Sequence, residues 1–199
     1  AAGPTLSAVY DATKAGLGVP WMGVVAMAFA RYPTFYKTLW SALEPLAGRE
    51  AFSETCADLR SVAEANATFL GPSPLADALK DAGYGRAEVT EIRTCIEVFS
   101  HGHMPYVLMA TLAPLLLEGQ DWTATGHPGA EGTGPNWPKP QLMEPHHADG
   151  PTREVYEDIK QALGLPFVNT DYRALARWPS YFRLAWGDLK TIVSSDQYE

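Results

Sequence analysis

The sequence repeats itself. Compared without a gap at an offset of 146 residues, Tyr10 to Trp40 matches Tyr156 to Trp186 at ten of thirty-one positions, where unrelated segments would share about two. Tyr10 pairs with Tyr156, Lys14 with Lys160, Leu17 with Leu163, Gly18 with Gly164, Pro20 with Pro166, Arg31 with Arg177, Pro33 with Pro179 and Trp40 with Trp186. Many of the rest are conservative, such as Trp21 against Phe167 or Tyr32 against Trp178. Two copies of one pattern must present the same apolar faces, so they are expected to take the same local structure. One departure is chemical: Gly23-Val24-Val25 stands against Asn169-Thr170-Asp171. One copy starts its second helix with a carboxylate, and the other with an apolar wall.

Spacing of 3.6 residues recurs throughout, and alternating β-branched runs are absent, so the fold class is all-α. The first copy predicts helices over residues 5–17, 22–31 and 34–46, stopped by Gly18 and Pro20 and interrupted at Pro33. Residues 51–69 form a longer helix with Phe52, Cys56, Leu59, Val62 and Ala63 as the expected buried stripe. Ser73-Pro74 supplies a cap and a first-turn proline, and Gly83 a stop. Residues 86–101 carry Val89, Ile92, Ile96 and Phe99 at helical spacing. Residues 105–117, apolar nearly all round, are expected in the middle of the fold.

Gly119 to Thr152 is rich in glycine and proline and has no periodicity, which marks a linker or a functional flap. Trp122, Trp137, Leu142 and Met143 suggest that it is laid down on the helices. The expected organisation is a first helical repeat over residues 1–118, a linker over 119–152 and a second repeat over 153–199. The second repeat lacks counterparts of the helices between Ala51 and Leu117, so these pseudo-symmetric halves are unequal and the second is incomplete. Either the chain is a fragment, or a homodimer or a second chain completes it.

At 199 residues with 46% hydrophobic and 19% charged residues, the composition is that of a globular protein. The formal net charge of -8 argues against a nucleic-acid partner, which needs clustered Lys and Arg. The longest apolar run, Val107 to Leu117, is about half a membrane span, and no secretory leader is evident, so no membrane partner is expected. Cys56 and Cys95 have no CxxC spacing, so no disulfide framework is indicated; the default compartment is the cytoplasm.

The segments Val19-Pro20-Trp21, Phe99 to Leu112 and Thr170 to Pro179 resemble the group I 2-haloacid dehalogenases, the non-stereospecific family that hydrolyses both enantiomers of short 2-halocarboxylic acids. The resemblance implies an all-helical pseudo-dimer of two repeats, without cofactor or metal, and a small-molecule 2-haloacid as substrate. In that family an Asp at the position of Asp171 activates a water that attacks C2 directly, displacing halide with inversion and no covalent ester. The family's assisting Asn falls in a Tyr-Gly-Asn-Pro-Lys-Tyr segment, which reads His101-Gly102-His103-Met104-Pro105-Tyr106 here. His103 therefore stands at the assisting position, with Tyr106 beside it on the substrate side. The halide side is implied for Trp21, for Val24 in place of a Phe, and for Thr170 in place of a Ser.

A positioned carboxylate acting as general base contributes about 10²–10⁴ in rate, which is the role implied for Asp171. An imidazole changes charge in the neutral range, so His103 is expected to give a pH dependence that an Asn would not. The Trp21 indole N–H and the Thr170 hydroxyl are donors suited to halide or carboxylate, and Val24 is expected to widen the pocket. Simpler readings exist for each: Asp171 suits a helix first turn because of the macrodipole, Trp21 suits a core, and His101, His103, His146 and His147 are weak metal-ligand spacings. Glu91, Cys95 and His101 faintly resemble the alkylhydroperoxidase and carboxymuconolactone decarboxylase families, but Val98 occupies the place of the second cysteine of the redox pair. A non-catalytic binding or assembly protein built on the same scaffold is the remaining alternative.

Overall fold

The computed structural model of the chain describes residues 4–120 and 137–196, together with Tyr198. Among these residues there are nine helices and no strand, so the protein is all-α. In chain order they are α1 (Pro4–Leu17), α2 (Val24–Phe29), α3 (Pro33–Ala47), α4 (Glu50–Phe69), α5 (Ala76–Asp81), α6 (Arg86–Leu117), α7 (Gly150–Leu163), α8 (Thr170–Leu175) and α9 (Pro179–Val193).

The helices α7, α8 and α9 begin and end 146 residues after α1, α2 and α3. Local chemistry explains the shared boundaries. Gly18 and Gly164 take left-handed φ values of 64° and 63°, a conformation that stops a helix without steric cost only at glycine. The amides that follow turn back alike, Val19 to the Lys14 carbonyl at 3.0 Å and Leu165 to that of Lys160 at 2.9 Å. Pro33 and Pro179 open the third helices, where the missing N–H is no loss. Their N-caps, Tyr32 and Trp178, have nearly the same backbone, φ -115° with ψ 79° and 81°.

The chain divides into two compact units, one made of Ala1–Val62 with Val98–Lys139 and the other of Ala63–Glu97 with Pro140–Glu199. In the first, α1 and α2 both pack on α3, which buries Tyr36, Leu39, Trp40 and Leu43. In the second, α7 and α8 both pack on α9. One cluster there joins Tyr156, Ile159, Val168, Phe182 and Trp186, and another sets Leu79 and Ile92 against Trp178 and Tyr181. Each large side chain so buried contributes about 1.5–3 kcal/mol.

Several sequence expectations need correction. Residues 86–117 form one helix, with Pro105 and Pro114 inside it. Ile92, Phe99, Gly102, Tyr106, Met109 and Ala113 are buried at steps of seven, three, four, three and four. The stripe keeps its register through Pro105, so packing outweighs the missing backbone bond. Residues 105–117 are not central all round: Val107 is 46% exposed and Leu117 71%. Ile96 is exposed too, and Cys95 sits half-buried on the stripe instead. The helix α4 has no buried residue; Phe52, Cys56 and Leu59 are half-buried, while Val62 and Ala63 face solvent. The helix α5 starts at Ala76 with Leu75 as N-cap and no side-chain cap bond, so Ser73-Pro74 lies ahead of it. Of the segment expected as a linker, residues 121–136, including Trp122, lie outside the described residues.

Candidate active site

The residues singled out from the sequence divide between the two units: Trp21, Val24, His103 and Tyr106 belong to the first, and Thr170 and Asp171 to the second. In the first unit an aromatic group surrounds Trp21. Its ring lies 4.8 Å from that of Phe99 and 5.8 Å from the His103 imidazole, both edge-on, and Phe99 and His103 stack at 5.7 Å. Glycine makes this approach possible, since a Cβ on Gly102 would lie 2.2 Å from the Trp21 ring. The Tyr106 hydroxyl donates to the Trp21 carbonyl at 2.6 Å. Burial pushes that phenol upward in pKa, so it stays a donor, engaged inside the protein. A Cβ on Gly23 would lie 2.7 Å from the Tyr106 ring, which explains why no side chain stands at this helix start. Val24 opens α2 and is half-buried.

Sequence reasoning missed Phe99, Gly102 and Gly23 as parts of this group. A glycine inside the long α6, four residues before a tyrosine on the same face, was the available signal. His101 belongs elsewhere: it meets Arg60 and lies 5.2 Å from the Trp137 ring. His146 and His147 have ring centroids 4.0 Å apart, but among the described residues no group of three His, Cys, Asp or Glu could hold a metal.

In the second unit Asn169 has extended backbone, φ -62° and ψ 162°, and caps α8 without a side-chain bond. Thr170 is buried and Asp171 half-buried in the first turn. The Asp171 carboxylate has no hydrogen-bond or ion-pair partner among the described residues. It is thus no cap for its own helix, and its oxygens can accept a proton from something else. Burial raises the Cys95 thiol to about 11, against a smaller lowering by Arg177 and with a still smaller push upward from the Asp171 carboxylate. A thiol held neutral is a poor nucleophile, which removes support from the peroxidase-like alternative.

No protein-family model matches the chain. Individual relatives do. The (R)-2-haloacid dehalogenase of Rhizobium sp. (strain NHG3) is 51% identical over 194 residues, which is 95% of this chain and 75% of the relative. A solved D-2-haloacid dehalogenase with L-LA superimposes with a TM-score of 0.86 at 35% identity, over 99% of this chain and 70% of that one. A mutant D-2-haloacid dehalogenase with D-2-CPA gives 0.86 at 34% identity over the same shares. The chain belongs to the 2-haloacid dehalogenases. These are hydrolases acting on carbon–halide bonds. The expectation of the non-stereospecific group is corrected by these relatives, whose names carry one configuration, (R) or D. The role that the resemblance implies for Asp171 is water activation, which does not decide which enantiomer fits.

Proposed function

We propose that the chain hydrolyses (R)-2-halocarboxylic acids to 2-hydroxy acids of inverted configuration, with Asp171 as general base. The water's oxygen forms the bond to C2 as the carbon–halogen bond breaks. Its proton passes to Asp171, and halide leaves. The carrying observation is the half-buried carboxylate in the first turn of α8 with no partner among the described residues. The relatives' names support the (R) preference, and the opposite labels of D-2-CPA and L-LA on the solved structures agree with inversion.

In this reading His103 assists the water, the Trp21 indole and the Thr170 hydroxyl serve as donors toward halide or carboxylate, and Val24 admits acids longer than the smallest. Tyr106 acts by shape, because its hydroxyl is committed to the Trp21 carbonyl. We place the enzyme in the cytoplasm, where Cys56 and Cys95, both free, would stay reduced. No helix among the described residues is long and apolar enough to cross a membrane.

The test is halide release from each enantiomer of 2-chloropropionate, with chiral analysis of the product. Asp171→Asn is expected to lower the rate by about 10²–10⁴; an undiminished rate would remove Asp171 from the role of base. Equal turnover of both enantiomers would return the chain to the non-stereospecific group.

A further inference from the structure

The helix α8 has six residues, too few to hold its own shape in water, so its orientation depends on what grips it. Part of that grip comes from residues 140–148, which carry no regular structure of their own. The Met143 amide donates to the Arg173 carbonyl at 2.9 Å. The Arg177 amide, which would reach that carbonyl if the helix continued, goes to Ala174 instead. A helix-end carbonyl is thereby satisfied from outside the helix. Arg173 then spreads its Nη1 over both Glu144 oxygens, at 2.9 and 2.8 Å. From α7 the Tyr156 hydroxyl donates to the Met143 carbonyl at 2.7 Å, and the Met143 side chain packs against the cluster around Tyr156 and Phe182. Burial lifts the Tyr156 phenol to about 12, so it remains a donor through the neutral range.

In the first copy the position that matches Arg173 is filled differently. Met27 stands at the place of Arg173 and is 41% exposed, and the hydroxyl of Tyr10, the counterpart of Tyr156, has no hydrogen bond among the described residues. On the same face of α8, Arg173 Nε and Asn169 Oδ1 are buried without hydrogen-bond partners among the described residues. A helix arranged for stability alone would not keep two such groups.

Resting on the hydrolase reading above, we infer that the Glu144–Arg173 pair, tied to α7 through Met143 and Tyr156, is a positioning device that fixes the first turn of α8 and with it Asp171. The pair does not touch substrate in this scheme. It acts by holding a base to within the tolerance that proton transfer needs, where a displacement of about 1 Å costs on the order of a hundredfold.

The test compares wild type, Glu144→Ala, Glu144→Gln, Tyr156→Phe and Asp171→Asn by steady-state kinetics and by amide hydrogen exchange. In Glu144→Ala, kcat is expected to fall about ten- to a hundredfold with KM little changed, while exchange in α8 accelerates and exchange in α7 and α9 does not. Glu144→Gln, which still accepts a hydrogen bond, should recover part of kcat, and Tyr156→Phe should lower it less than Glu144→Ala. A loss of folded protein without change in kcat per folded molecule, or unchanged exchange in α8, would overturn the positioning role. Should Asp171→Asn keep full activity while Glu144→Ala loses it, the identity of the base is what fails. Activity in both variants would overturn the positioning of Asp171 itself.

Discussion

The two helix triplets, α1–α3 and α7–α9, share boundaries and backbone turns but solve their interiors differently. In the first, Thr13 gives its hydroxyl hydrogen to the Val9 carbonyl at 2.8 Å, so the Tyr36 phenol donates to Thr13 at 2.7 Å in a fully buried place. In the second, the same two positions are Ile159 and Phe182, an apolar pair. The edge-on ring contact survives the change: Tyr10 with Tyr36 at 5.9 Å, Tyr156 with Phe182 at 5.7 Å. Trp40 and Trp186 diverge further. Trp186 donates to Asp158 at 2.7 Å, whereas the position of Asp158 is Ala12 in the first triplet and the Trp40 indole nitrogen is buried without a partner among the described residues. Trp40 instead lies against Gly16, where a Cβ would be 2.6 Å from its ring; the second triplet has Ala162 there. Equal backbones thus exchange the Thr13–Tyr36 pair as a whole for Ile159 and Phe182, but keep the tryptophan while its acceptor becomes Ala12.

Exchanging residues between the triplets tests that statement. The largest effect is expected from Gly23→Asn, which imports Asn169 into the space of the Tyr106 ring and should cost about 3 kcal/mol by overpacking. The reverse change, Asn169→Gly, should cost only about 0.3 kcal/mol, as between two accepted N-cap residues; thermal unfolding measures both, and equal costs would break the comparison. Next comes Thr13→Val, which strands the buried Tyr36 hydroxyl and should cost about 2 kcal/mol. Adding the second triplet's solution, Thr13→Ile with Tyr36→Phe, should return stability to within about 1 kcal/mol of wild type.

A smaller difference is expected between the tryptophans. Trp186→Phe loses a hydrogen bond to a carboxylate and Trp40→Phe loses none, so the former should cost about 1 kcal/mol more in chemical denaturation. The same bond has a pH signature. Hydrogen bonds from Lys190 and then Trp186 hold the Asp158 carboxyl below its ordinary value of 3.8. Its contribution is present above that value and is lost as pH falls through the depressed one. Trp186→Phe should therefore weaken the acid limb of the stability curve, and Trp40→Phe should leave it unchanged.

Much of the fold was legible because its signals are local. Gly18, Gly164, Pro33 and Pro179 act on their own backbone, so the helix ends they impose follow from the residues themselves. Asp171 stood out because its counterpart is Val25, a contrast visible in the aligned copies. The single helix through Pro105 was missed because proline's local penalty was weighed without the stripe that continues past it. The exposed face of α4 was missed because alanine, serine and threonine between its larger apolar residues suit either surroundings. The clamp on α8 could not be read at all: Glu144 and Arg173 are 29 residues apart, and nothing near either one announces the other.

From the sequence alone came the helical class, the repeat with its period, the three helices of the first copy and the suspicion attached to Asp171. All of these depend on residues within a turn or two of each other, or on comparison of the chain with itself. Only the tertiary structure decided which polar groups are satisfied among the described residues: that Trp186 has an acceptor and Trp40 has none, that Tyr106 spends its hydroxyl on the Trp21 carbonyl, and that Asp171 is left unpaired. Hydrogen bonding at fixed distance requires two groups to meet in space, and for residues far apart in the chain only packing brings them together.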